Sequence, residues 1–169
     1  MVTLGCSASL LDAIPIATTL EARSPGSDDS VLGGWYASFL KVRRTELVQC
    51  TNAATLLTVY LAAAQADTFL PRLRALVLDV LSIIQVPEPG LEMEARALHD
   101  WHIVQGIPRS VGGSMNAFMA RSKAAIEEAP GISTLALTTA LVDIPWKPLG
   151  FRSARELVKE AFERRLTTA

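Results

Sequence analysis

The segment Arg109-Ser110-Val111-Gly112-Gly113-Ser114-Met115-Asn116 gathers the most suggestive chemistry in the chain. An arginine, two hydroxyls, a glycine pair and an amide stand where a helix is predicted to begin. The first N–H groups of a helix lack intrahelical partners and carry the positive end of its dipole, so such a terminus suits a phosphate or a carboxylate. Gly112 and Gly113 would let a ligand or another backbone come close. The segment is not a phosphate-binding P-loop, because G-x-x-x-x-G-K-[ST] is missing and no lysine follows the glycines directly. Nor is it a G-x-S-x-G nucleophile turn, since Asn116 stands where the second glycine belongs. A purely structural reading also fits: Ser110 as N-cap, the glycines for tight helix–sheet packing, and Asn116 bonded to a neighbouring strand. Arg109, Ser110, Gly113, Ser114 and Asn116 are therefore candidate ligand-binding residues.

Trp35 and Tyr36, after Gly33-Gly34, complete the candidate set. Exposed, they would form a stacking platform or a protein-binding anchor; buried, Trp35 is core. The two histidines, His99 and His102, would share a face on a helix, as a metal site needs. A strand is predicted there, which sends them to opposite faces and leaves no metal site. Cys6 and Cys50 follow no C-x-x-C pattern and read as two buried thiols, with a disulfide as the alternative. The carboxylate pairs Asp28-Asp29 and Glu127-Glu128 lie in polar settings that would not raise a pKa for acid–base work. The basic groups Arg43-Arg44, Arg152/Arg155 and Arg164-Arg165 read as solvated faces. No Ser/His/Asp or Cys/His set can be assembled, so no catalytic residue and no cofactor is assigned.

The elements that position these residues belong to one domain of 169 residues, half of them apolar. The expected architecture is α+β: a small antiparallel sheet of about four or five strands packed against four or five helices. Val2–Leu4 reads as a strand and Ser7–Ala13 as a small helix capped by Ser7. Ala22–Gly34 reads as a polar loop. Trp35–Val42 and Glu46–Thr51 form a predicted hairpin across Arg43-Arg44-Thr45, and Thr55–Ala62 reads as a third strand with a buried helix as the alternative. Apolar residues at helical spacing mark Thr68–Ile84, with Pro71 in its first turn, and Ser110–Glu128. Between them lie a helix at Leu91–Leu98 and a strand at Asp100–Gln105. Ser133–Val142 is read as helical with an extended alternative. Ser153 and Glu156 form a capping box for a last helix.

Sixteen basic residues nearly balance seventeen acidic ones, for a formal charge of −1, which argues against a domain that works mainly by gripping nucleic-acid backbone. It leaves room for a local basic patch. Pro71, Arg72, Arg74 and Asp79 interrupt the most apolar stretch, Phe69–Val86, which is too short and too charged for a bilayer span. The start lacks the charged and apolar regions of a signal peptide. No membrane contact is expected, and a cytoplasmic location is.

Three segments recur together elsewhere: Leu32-Gly33-Gly34-Trp35-Tyr36-Ala37, then Gln49-Cys50-Thr51-Asn52, then Arg109 through Phe118. In that order they resemble a bacterial family of small proteins classed as a domain of unknown function. Its members show a tryptophan strand, a "TN" strand end and an "RSVLGSMNDF"-like helix start. The resemblance covers roughly residues 1–130, leaving 131–169 as a helical extension packed on that core. This chain departs at Gly112, where leucine is usual, and at Ala117, where an acid is usual, so a role carried by that acid does not transfer. Leu141 to Ser153 is similar to a "LNxTPxxPLGYRSP" ending of some members. Fusion of some members to domains found on plasmids and mobile elements implies a setting and no reaction. The expected function is a non-enzymatic binding module with a protein or nucleic-acid partner, in a mobile-element or phage-conflict setting. A binder or enzyme for a phosphorylated small molecule at Arg109 is the alternative, and a structural homodimer burying a sheet face is the third reading.

Overall fold

Alternation decides the centre of the sheet. In β2 (Trp35–Val42) the odd residues Trp35, Ala37 and Phe39 turn to one face and Tyr36, Ser38, Leu40 and Val42 to the other. A tight turn at Arg43-Arg44 returns the chain as β3 (Thr45–Asn52), antiparallel, with Trp35 opposite Asn52 and Val42 opposite Thr45. A computed structural model describes residues 1–18, 29–63 and 65–168. Of the loop expected at Ala22–Gly34, the part up to residue 28 lies outside the described residues.

The five-stranded sheet runs β4-β3-β2-β1-β5, where β1 is Val2–Cys6, β4 is Thr58–Ala62 and β5 is Trp101–Gln105. The α+β class holds, but the sheet is mixed: β1 pairs in parallel with both β2 and β5. Parallel pairing needs a crossover. One runs from β1 through α1 (Ala8–Ala13) to β2, and another reaches β5 through α2 (Ala66–Ile84) and α3 (Glu88–Ala97). The described residues form six α-helices, completed by α4 (Arg109–Glu128), α5 (Thr134–Val142) and α6 (Ala154–Thr168). α2 starts two residues before the predicted Thr68, which moves Pro71 out of the first turn. No helix among the described residues is long and apolar enough to cross a membrane.

Helices lie on both faces. α1, α2, α3 and α6 pack on the Trp35 face through Leu10, Phe69, Leu73 and Phe162, with Leu98 just past the end of α3, all five fully buried. On the opposite face α4 and α5 bury Val111, Met115, Phe118, Ile126 and Leu137 against Tyr36, Leu40, Leu47 and Tyr60. Ser133 caps α5, and Ser153 with Glu156 forms the expected reciprocal box, the Ser153 N–H donating to the Glu156 carboxylate at 2.6 Å. Thr138 of α5 accepts the Tyr60 backbone N–H at 3.2 Å, so α5 also closes the free edge of β4.

Candidate functional site

Two buried polar clamps hold the surface on which the predicted residues lie. The first is Asn52, the last residue of β3. Its amide donates to the carbonyls of Leu32 (2.9 Å) and Gly34 (3.1 Å) while its oxygen accepts from the backbone of Ala54 and Thr55 and from the Thr55 hydroxyl. The "TN" strand end is thus the knot between the loop before Trp35 and the turn after β3. The second is Gln49, fully buried, whose amide donates to the Met115 carbonyl at 2.9 Å. Tyr60 extends it: its hydroxyl donates to Gln49 at 3.4 Å and accepts from Ser122 at 2.6 Å. Burial pushes the Tyr60 phenol pKa up, so it stays a donor. Gln49 and Ser122 bind α4 to the sheet without using Asn116.

With α4 so fixed, helical periodicity sorts the motif. Val111, Ser114 and Met115 face the fold; Arg109, Ser110, Gly113 and Asn116 face outward and are exposed. Two structural expectations are corrected here. Pro108, not Ser110, occupies the N-cap position, and no side chain caps the helix, because α4 begins one residue earlier than predicted. Asn116 does not bond to a strand, because it lies on the solvent side of α4. The side chains of Arg109, Ser110 and Asn116 have no hydrogen bond or ion pair among the described residues.

The glycines also depart from the packing expectation. A Cβ at Gly113 would meet nothing within 4 Å, and one at Gly112 only the Ile107 side chain at 3.9 Å. The glycine that close packing does require is Gly5 within the sheet, where a Cβ would fall 2.5 Å from the Tyr36 ring on β2 and 2.6 Å from the Gly106 carbonyl just after β5. Trp35 is fully buried in the core with its indole N–H unpaired, and half-buried Tyr36 lies over Gly5 on the opposite face. Period 2 separates the two rings, and they form no platform.

A residue that sequence reasoning did not nominate completes the surface. Trp146 packs on Phe118 at 4.7 Å between centroids, takes the Arg121 guanidinium over its ring at 5.4 Å, and donates its indole N–H to Ser114 at 3.4 Å. It opens a turn closed by pairing with Arg152, in which Gly150 and Phe151 both adopt left-handed backbone, φ 65° and 62°. Phe151 is 70% exposed. Two grooves flank the start of α4. One, about 480 Å³, lies between Ser110, Gly113 and Ser114 and the turn at Trp146, Lys147 and Phe151. The other, about 410 Å³, is lined by Ser7, Ser38, Arg109, Gly112, Gly113 and Asn116.

Residues 3–157 match one family along most of the described fold, through the Trp146 turn and into α6. The chain belongs to the DUF6933 family, a domain of unknown function. The DUF6933 match therefore takes in both grooves and both polar clamps. No curated protein matches the chain.

Other candidate groups fall away from this surface. His102 is buried on β5 and His99 lies exposed before it, bonded to Asp100; no cluster able to hold a metal occurs among the described residues. Cys6 and Cys50 are free thiols on one sheet face, each opposite Ala37 of the strand between them, and burial pushes the Cys6 pKa up to about 12. Arg155 grips Asp143 through two bonds, holding that carboxyl below its ordinary range, and Arg152 pairs with Glu160.

Proposed function

We propose that this DUF6933 domain is a non-enzymatic binding module whose working surface is the start of α4 together with the Trp146–Phe151 turn. Its partner is a protein or a nucleic acid, and its setting is the bacterial cytoplasm in mobile-element or phage-conflict systems, as the resemblance of its motifs implies. The observation that carries the reading is the glycine pair. Glycine inside a helix is less stable than alanine by about 0.5–1 kcal/mol, and neither Gly112 nor Gly113 needs the missing Cβ for packing. Gly113 instead lines both grooves, where a methyl group would stand between the helix and anything lying on it. Residues that cost the fold stability and serve no internal contact are explained by an external one.

A second reading, a binder of a phosphorylated small molecule, is favoured by the 410 Å³ groove, which adds the hydroxyls of Ser7 and Ser38 to Arg109 and the uncapped helix start. The sheet-face homodimer finds less support, because helices lie on both faces.

Thermal unfolding against nucleotides, sugar phosphates, short oligonucleotides and acidic peptides tests the proposal. A ligand that binds only the folded state stabilises it by about 2.7 kcal/mol at a hundredfold excess over its Kd. The expected result is a raised midpoint with at least one class, abolished by Arg109→Ala. A shift that survives both Arg109→Ala and Phe151→Ala would place the binding surface elsewhere.

A further inference from the structure

Charge is segregated in this molecule. The chain as a whole carries −1, yet residues 106–126 hold Arg109, Arg121 and Lys123 with no Asp or Glu, and residues 144–151 hold Lys147 with none. None of these four cations enters an ion pair among the described residues, whereas Arg152 and Arg155 beside them are neutralised by Glu160 and Asp143. Lys147 lines the 480 Å³ groove between the rings of Trp146 and Phe151, Arg121 lies over the Trp146 ring, and Arg109 lines the adjoining groove that shares Gly113. Trp146 already carries a cation on one face, and Phe151 projects its ring into solvent from a left-handed backbone that bulky residues avoid.

We infer that this groove binds single-stranded nucleic acid, one base stacking on Phe151 while Lys147 and Arg109 take the neighbouring phosphates. The inference rests on the binding-surface reading above and names its partner. Cations spaced around exposed π-faces are the chemistry that single strands need: the backbone meets the charges and any base can stack. A duplex hides its base faces and cannot use Phe151. An acidic peptide would satisfy the cations but has no general use for the exposed ring.

The test is fluorescence anisotropy of the full chain with labelled ten-nucleotide oligothymidylate and oligouridylate, a short duplex, and an acidic decapeptide. The two single strands bind more tightly than the duplex. Phe151→Ala weakens them about five- to 150-fold, the range of one lost base stack. Lys147→Glu weakens them and flattens the salt dependence, whereas Arg44→Glu on the distant hairpin turn changes little. Wild-type affinity falls about sevenfold for two neutralised phosphates, or about twentyfold for three, between 50 and 200 mM salt. Circular dichroism confirms that each variant is folded. Equal binding of duplex, or single-strand binding unchanged in both Phe151→Ala and Lys147→Glu, overturns the inference. If only the acidic peptide binds, and Phe151→Ala weakens it, the nucleic-acid assignment falls while the binding surface stands. If no probe binds, both fall.

Discussion

Replacing Gly112 and Gly113 together by alanine should stabilise this protein. Both residues lie in regular helix, in the second turn of α4, and neither has a positive φ that alanine would resist. Built at Gly113, a Cβ meets no atom within 4 Å; at Gly112 it makes one ordinary contact, 3.9 Å from Ile107. With no clash to subtract, each change contributes the helix-propensity difference of about 0.5–1 kcal/mol. Adjacent helical positions do not face each other, so the effects add to about 1–2 kcal/mol. In a chain of this size that raises the thermal midpoint by about 2–8 °C. Urea unfolding gives the free energy directly, as a higher midpoint with an unchanged slope. Two methyl groups would at the same time obstruct the grooves, so the stabilised variant should lose binding of whichever probe shifts the wild type. A variant less stable than wild type would refute the reasoning. It would mean that α4 needs both glycines for its own packing, and the case for a surface kept open at the expense of stability would collapse.

Three further predictions concern the frame behind that surface. Glu94, fully buried on α3, accepts the Ser30 hydroxyl and, at 2.9 Å, the Val31 N–H, so Glu94→Ala should cost about 2–4 kcal/mol, read by thermal unfolding, and expose the Val31 amide to hydrogen exchange. Burial holds this carboxyl above its ordinary pKa of 4.5, against the opposing pull of Ser30 and the Val31 and Leu32 amides. Its contribution is therefore fully present below about 4.5 and is lost as pH rises through the folded value. Glu94→Gln should accordingly cost more in acid than at neutral pH. Asp143, Glu156 and Glu160, whose pKa values are lowered, run the other way in both proteins and cancel in that difference. Gly5→Ala should destabilise by about 1–3 kcal/mol, because the Tyr36 ring can turn aside but the Gly106 carbonyl, 2.6 Å from the new Cβ, is backbone; a neutral result in urea unfolding would mean that β5 shifts at little cost.

Much of the fold is written locally. The two-residue period of β2, the apolar stripe of α2 and the capping box of α6 each need only a short window of sequence, and each element forms where its pattern lies. Strand orientation does not work that way. β1 is five residues long and buried along nearly all its length, so its pattern carries no sign of whether its neighbours run with it or against it. Its parallel pairing comes from the crossovers, which tertiary packing sets. Glu94 was illegible for a related reason. A glutamate in a polar helix reads as solvated, and only a loop more than sixty residues away in sequence makes it an anchor. Trp146 sat between two prolines and read as turn; its partner Ser114 is 32 residues distant.

At the start of α4 the linear motif and the folded helix diverge. As a string, 109–116 presents arginine, serines, glycines and asparagine as one set. Wound at 3.6 residues per turn it becomes two. Ser114 and the Met115 carbonyl turn inward, and their partners, Trp146 and Gln49, account for them without any ligand. Arg109, Gly113 and Asn116 fall on one outward stripe, at i, i+4 and i+7; the described fold gives the Arg109 and Asn116 side chains no polar partner, and a Cβ at Gly113 would meet no neighbour. A helix designed for stability alone would carry a cap before Arg109 and alanine at 113. This one carries neither, and the same stripe borders an aromatic turn whose Phe151 is strained and bare. Three separate losses of stability, in the cap, the glycines and the turn, converge on a few hundred Å³ of surface, and one external partner lying there accounts for all of them.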